Sequence, residues 1–380
     1  MRLKFRLLAA LAAFSFLAGC AGTELTDSGL NPKKFEAELE GGKTALYTLR
    51  NGRGVEVCIT NFGARIVSLR VPDRNGNFRD VVLGFDNIQD YINVPSDFGA
   101  TIGRYANRIG GGRFELDGVE YDLPKNNYGH CLHGGPNGWQ YGVFEASDIK
   151  DNSIKLTLVS PDGDAGFPGK VVASVKYTLT GDNRIIMEYT ATTDAPTVIN
   201  MTNHSYFNLA GDPANHSIED DCLWIRSDYF TPVDDTFMTS GEIRRVDGTP
   251  MDFRHVTRIG DQINEDYDQL INGKGIDHNW VLDNSGLLTI RSAQVYSPAS
   301  GIVLDVYTDQ PGIQVYCGNF LDGTVKGKGG IAYPFRSAIC METQHYPDSP
   351  NKPDWPSVVL RPGERYRTVT IFAFSTKSEE

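Results

Sequence analysis

Along most of the chain, apolar and polar positions alternate in short runs. In the stretch from Val55 to Thr60, Val55, Val57 and Ile59 share one face. Ile154, Leu156 and Leu158 alternate with Ser153, Lys155 and Thr157. Val175, Tyr177 and Leu179 alternate with Lys176 and Thr178, and Ile185, Met187 and Tyr189 with Ile186 and Glu188. Period two over such lengths predicts half-buried strands. Only one segment has helical spacing: Ile259, Ile263, Tyr267 and Leu270 predict a helix over 259–271, with Gly273 placed to end it.

Turn residues punctuate the runs. Asp117-Gly118 stands between Phe114-Glu115-Leu116 and Val119-Glu120-Tyr121, a two-residue hairpin signal. Asn51-Gly52, Asn75-Gly76 and Gly181-Asp182-Asn183 mark further turns. Strands joined by hairpins build antiparallel sheets that pack face to face. No low-complexity run or Ser/Pro linker divides them. The expected fold is all-β: one large antiparallel β-sandwich over residues 36–380, with few short helices.

The first residues read differently. Arg2, Lys4 and Arg6 precede the apolar or small run from Leu7 to Gly19, then Cys20. That run is shorter than the ~20 residues a membrane-spanning helix needs and fits a signal peptide over 1–19. Leu17-Ala18-Gly19-Cys20 resembles the lipobox of bacterial lipoproteins, in which Cys20 becomes the lipidated N-terminus. Acyl chains at ~0.8 kcal/mol per buried methylene give firm anchoring. Ala21, in place of Asp, is compatible with outer-membrane sorting, so a periplasmic location is expected, with this anchor as the sole membrane contact. Residues 20–35 then read as the lipidated cysteine and a polar tether, whose reach is roughly 20 Å.

Composition changes the picture in three ways. A hydrophobic share of 40% in 380 residues supplies a sizeable core. Removing the nineteen leader residues, three of them basic, takes the net charge from −12 to −15. That balance excludes a nucleic-acid partner, which needs clustered Lys and Arg. The cysteines beyond Cys20, namely Cys58, Cys131, Cys222, Cys317 and Cys340, are odd in number and form no C-x-x-C pair, so buried thiols are expected instead of a disulfide framework. No signal for an oligomeric state emerges.

Common catalytic signatures are missing: no G-x-S-x-G elbow, P-loop or H-E-x-x-H occurs. The glycine-rich run from Gly327 to Ala332 is followed by Tyr333-Pro334 where a helix should start, and reads as a loop. His130 and His133 have no Cys or carboxylate at ligand spacing, so no metal site is expected.

Polar groups instead gather in five stretches beside Gly, Pro or aromatics. They are Ile102–Ile109 with Arg104, Asn107 and Arg108; His133 before Gly134-Gly135; Asn203 to Leu209 with His204; Asp277-His278-Asn279-Trp280; and Glu342 to Pro347. Any one alone reads equally well as structural. Together they provide a carboxylate, imidazoles, amides and rings, the set a sugar pocket requires.

These stretches resemble the aldose 1-epimerase (galactose mutarotase) family. GRYANRI, LHGG, NHSYFNL, DHN, PGIQVYCGNFLDG, ETQHYPD and PSVVLRPGERY occur in the family's order across residues 36–375. The resemblance implies a β-sandwich of the galactose mutarotase type, an isomerase acting on free aldohexoses, and no cofactor. At matching positions it implies Glu342 as catalytic base, His204 as catalytic acid and His133 as a second imidazole at the ring. It implies Asn107, Arg108, Asp277 and Gln314 as ligands of substrate hydroxyls. Tyr128-Gly129-His130-Cys131 departs from the family pattern just before LHGG, and Tyr346 stands where family members vary; neither is a carried catalytic position, and an effect on sugar preference is expected from both.

Interchanging anomers means opening the ring at its anomeric carbon, turning the aldehyde and closing on its other face. A carboxylate and a protonated imidazole on opposite sides of the ring are expected to do this, each worth ~10²–10⁴-fold. Nearby Glu342 or Asp277 is expected to hold His204 cationic. The competing readings are a non-catalytic sugar-binding lipoprotein of an uptake system and an enzyme for a phosphorylated sugar. The first needs no matched acid and base. The second needs a basic cluster, for which only Arg104 and Arg108 stand near the motifs.

Overall fold

The computed structural model describes residues 24–378. The expected signal peptide and Cys20 lie outside the described residues. Part of the expected tether does not: Leu30 and Phe35 are buried, and the amides of Asp27 and Ser28 donate to the Glu56 carboxylate. Glu56 is fully buried on a strand and meets Arg50 at 2.6 Å. A buried carboxylate needs such donors, so the chain from Thr26 onward is held against the sandwich.

The alternating runs form strands as expected. Ser153–Ser160, Val171–Leu179 and Arg184–Thr193 lie side by side in a nine-stranded antiparallel sheet, joined to Tyr366–Thr376, Ile302–Thr308 and Arg291–Tyr296. Leu46–Arg50, Glu56–Thr60, Arg65–Pro72 and Phe78–Asp80 form a second sheet. The Asp117-Gly118 turn closes the hairpin of Arg113–Leu116 and Val119–Asp122.

Five strands position the polar stretches: β1 (Ala100–Ile102), β2 (Thr202–His204), β3 (Asp277–Val281), β4 (Gly312–Tyr316) and β5 (Ile339–Gln344). β3, β4 and β5 are neighbours in a six-stranded antiparallel sheet, while β2 pairs with β1. Alternation splits the six-stranded sheet into two chemistries. Trp280, Ile313, Val315 and Met341 join a core with Ile154, Val175, Tyr177 and Met187 of the nine-stranded sheet. The opposite face carries the row Asn279, Gln314 and Glu342, and beside it Asp277 and Tyr316. A bond from Thr343 to Thr370 and the Phe207–Phe372 ring contact tie the two layers together.

The helix over 259–271 is not continuous. Ile259–Asp261 is a single 3₁₀ turn, and only Asp268–Asn272 is α-helical. Ile259, Ile263 and Leu270 are buried as their spacing implies. Between them Asn264 bonds Glu219 and receives Arg336. Asn and Asp favour such local bonds over a helical backbone, so two separate turns satisfy the apolar spacing. The other α-helix among the described residues is Ile88–Asn93.

Of the five cysteines, Cys58, Cys131, Cys317 and Cys340 are buried free thiols and Cys222 is half-buried.

Candidate active site

Two loops begin the site. The stretch after β1 and the stretch holding His133 pair briefly through Arg108–Ile109 and Cys131–Leu132. Beside that pairing the bonds are reciprocal: His133 N–H donates to the Asn107 carbonyl at 3.0 Å, and Asn107 N–H donates to His133 Nδ1 at 3.1 Å. Asn107 and His133 both adopt positive φ, at 62° and 52°. Such geometry is strained for a side-chain-bearing residue and persists where surrounding bonds dictate it. Gly134 permits the close approach, since a Cβ there would sit 2.3 Å from the Gly103 carbonyl oxygen.

These loops, β2 and the polar face of β3–β5 border an open-mouthed cavity of about 180 Å³. Glu342, His204, His133, Asn107, Arg108 and Asp277 line it. Gln314 stands behind: its Nε2 donates to Asp277 Oδ1 at 2.6 Å, fixing that carboxylate. Arg108 donates from Nε to Asn127 and lies over the Phe237 ring at 4.9 Å. Tyr206 stacks on the His204 imidazole, with centroids 5.0 Å apart and planes 16° apart.

At the centre, His204 Nε2 lies 3.5 Å from Glu342 Oε1. Glu342 Oε2 is buried without a hydrogen-bond partner. The pair is therefore adjacent, since β2 runs beside β5. Burial pushes the Glu342 carboxyl well above its ordinary range; Asp277 and Asp97 add to the rise and Arg108 opposes it. Burial pulls His204 down, against the opposing pull of Asp97 and Asp277. The expectation that a neighbouring carboxylate raises the His204 pKa overall thus fails, because desolvation outweighs it.

The remaining groups are tuned the same way. Burial pulls His133 down to about 3. Since its Nδ1 accepts an amide proton, its own proton sits on Nε2, making it a neutral donor. Burial raises Asp277 and lowers Arg108, each partly offset by the other.

Several expectations move. Trp280, a candidate for the sugar face, is fully buried in the core, its Nε1 donating to the Met251 carbonyl, because strand alternation turns it away from Asp277 and Asn279. Arg104 is buried outside the cavity, where it donates to the carbonyls of Pro168 and Gly169 and to Ser160. It is a structural clamp and does not join Arg108 in the cavity. His130 turns to Thr236 and the Gly111 amide.

Asp97 is the residue that sequence reasoning missed. It lies just before β1 in Pro95-Ser96-Asp97-Phe98-Gly99, outside every polar stretch singled out, and it lines the cavity. One ligand-type atom each from Asp97, His133 and His204 lies within 4.8 Å of the others. The set fits a cation poorly: a ligating nitrogen must present a lone pair, and on His133 one nitrogen accepts the Asn107 amide while the other carries the proton. Tyr316 and Phe320 also line the cavity. They fall inside the stretch Pro311 to Gly323, where only their aromatic character marked them.

A family model described as aldose 1-epimerase matches residues 45–373. Galactose mutarotase of Rattus norvegicus is 43% identical over 335 residues, covering 88% of this chain and 95% of that protein. Aldose 1-epimerase of Escherichia coli (strain K12) is 38% identical over 340 residues, covering 88% and 96%. Among solved structures, an aldose epimerase homologue from C. elegans superposes with a TM-score of 0.82 at 34% identity, covering 88% of this chain and all of that one. Galactose 1-epimerase from Lactobacillus acidophilus gives 0.79 at 28% identity, covering 90% and 98%.

Proposed function

The chain belongs to the aldose 1-epimerase family, and from that premise we propose that Glu342 and His204 move the protons by which it interconverts the α and β anomers of free hexoses such as galactose and glucose. The protein is an isomerase; the residue roles and the hexose preference are our reading. The observation that carries them is the 3.5 Å separation of His204 Nε2 and Glu342 Oε1 inside a largely polar cavity.

The anomeric hydroxyl oxygen and the ring oxygen are bonded to the same carbon. An adjacent acid and base can therefore reach both oxygens at once. Glu342 takes the proton of the anomeric hydroxyl as the carbonyl forms. The bond from the anomeric carbon to the ring oxygen breaks, and His204 delivers its proton to that oxygen. After the aldehyde turns, the ring hydroxyl returns its proton to His204 and attacks the other face, while Glu342 protonates the new anomeric oxygen. Both groups end as they began.

The pair shares one proton. Burial of both groups favours placing it on the carboxyl. A bound sugar brings a hydroxyl donor to the unpartnered Oε2, which favours the ionised carboxylate and sends the proton to His204. Asp277 and Arg108 offer an acceptor and a donor for the other hydroxyls, with His133 Nε2–H and Asn107 beside them. Held this way, the open aldehyde recloses before it escapes. Polarimetry of freshly dissolved α-galactose and α-glucose tests the reading: faster decay to equilibrium supports it, and tight binding in calorimetry without any acceleration would replace it with a sugar-binding role.

The same proposal includes attachment to a bacterial membrane, with the outer membrane favoured and the enzyme in the periplasm. Arg2, Lys4 and Arg6, the apolar run after them and Leu17-Ala18-Gly19-Cys20 support it. Expression with labelled palmitate should mark the protein, and Cys20→Ala should abolish the label and release the protein from the membrane fraction. Unlabelled wild-type protein would remove the anchor.

A further inference from the structure

We propose that Asp97 is a positioning residue for the proton-transferring pair: its carboxylate, in the wall of the sugar cavity, supplies the negative charge that lets His204 hold its proton while a hexose is bound. The inference rests on the assignment of Glu342 and His204 as that pair.

The charges around His204 can be counted element by element. On its own strand, Thr202 and Asn203 are neutral, and the stacked Tyr206 follows. From β5 comes Glu342, and from β3 comes Asp277. The loop after β1 brings the buried Arg108. The second sheet brings Arg65, fully buried, whose charge opposes protonation of His204. His133 meets the His204 ring edge-on at 5.2 Å and is neutral, because its Nδ1 accepts a backbone amide. Tyr316 of β4 approaches at 6.5 Å.

Without Asp97, two guanidiniums balance the carboxylates of Glu342 and Asp277, and the shared proton leaves the buried cluster with an unmatched positive charge. An unmatched charge is costly in a low-dielectric cavity. The Asp97 carboxylate cancels it. The position suits that task, since its oxygen lies within 4.8 Å of both imidazoles. No hydrogen bond to its carboxylate is formed among the described residues, and Arg65 is turned to the carbonyls of Ser96 and Phe98 on either side. The loop is thus pinned by its backbone while the carboxylate faces the imidazoles. Asp97 and Asp277 both favour a cationic His204.

Asp97→Asn keeps the shape and removes the charge, and Asp97→Glu keeps the charge. The experiment follows kcat and KM for α-galactose against pH by polarimetry, and His204 protonation by ¹⁵N NMR with the sugar bound. For Asp97→Asn the alkaline limb of kcat should move at least about one unit toward acid, losing about tenfold in rate above the new limb, while KM changes less than about threefold. The His204 titration should move with it, and Asp97→Glu should restore most of both. An unmoved limb and unmoved His204 titration would overturn the proposal. So would a rise in KM at constant kcat, which would make Asp97 a hydroxyl ligand. If Glu342→Gln and His204→Asn stay active, the underlying assignment falls; if they are inactive while Asp97→Asn keeps its limb, only the role of Asp97 falls.

Discussion

His204 Nε2 stands 3.5 Å from Glu342 Oε1, yet the two side chains arrive on strands of different sheets. His204 ends a strand paired with Ala100–Ile102, and Glu342 lies in mid-strand next to Gln314. The short gap therefore depends on how the two sheets meet. In the proposed mechanism the two groups work as one acid–base unit, and the first predictions follow from that pairing.

Glu342→Gln keeps the side-chain shape and removes the proton acceptor. Calorimetry should show hexose binding within a few fold of the parent, while polarimetry should show mutarotation reduced by ~10²–10⁴-fold. Near-normal turnover would take the base role from Glu342.

For His204→Asn a loss of similar size is expected. Because residues acting as a unit are strongly non-additive, the double variant with Glu342→Gln should be hardly slower than either single one. A loss equal to the product of the two would show independent roles.

His133 acts as a neutral donor, held down to about 3 by burial. His133→Gln retains an N–H and should lose about tenfold in kcat/KM, whereas His133→Ala should lose about a hundredfold, the range of one lost hydrogen bond to a polar partner. In neither variant should the limbs of the pH–rate profile shift. A displaced limb would mean that His133 itself titrates during turnover.

Stability should fall in mild acid. Burial depresses His133 and His278 to about 3 and His345 to about 4. The unfolded chain binds protons at these imidazoles below the ordinary value of 6.5 and the folded chain does not, so stability rises with pH across that window. Each group should remove up to about 1.4 kcal/mol per pH unit as pH drops from 6.5 toward 4. Urea titrations at pH 7.5 and 5 measure the loss, and His278→Gln, behind the site, should make it shallower. An unchanged slope would show that His278 is protonated in the folded protein.

Trp280→Phe should cost about 2–3 kcal/mol in urea unfolding, since it leaves the Met251 carbonyl without its donor and opens space in the core. The KM for hexose should stay within about twofold. A selective rise in KM with unchanged stability would return Trp280 to the sugar face.

Much of this architecture was written into local pattern. Val175, Tyr177 and Leu179 alternate with polar neighbours because one face of the strand meets the core, and Asp117-Gly118 turns the hairpin its residue types imply. The ordered stretches carrying Asn107, Arg108, His133, His204, Asp277 and Glu342 were also legible, through residue types and family resemblance. The helical spacing from Ile259 misled because apolar positions at intervals of three and four suit two short turns as well as one helix.

Other properties arise only when distant segments meet. Trp280 and Asn279 are neighbours in the chain, but the layer packed against β3 decides which one joins the core. Arg104 and Arg108 look alike within one loop, yet Arg104 ends among the carbonyls of Pro168 and Gly169 and Arg108 in the cavity. Asp97 carried no local mark, since a carboxylate in a loop gains meaning only from the imidazoles across the cavity. Periodicity and turn chemistry are local, so the sequence by itself determined the strands, their hairpins and the stock of polar groups. Burial, proton placement and the gap between His204 and Glu342 depend on through-space distance and on exclusion of water, and those the tertiary structure decided.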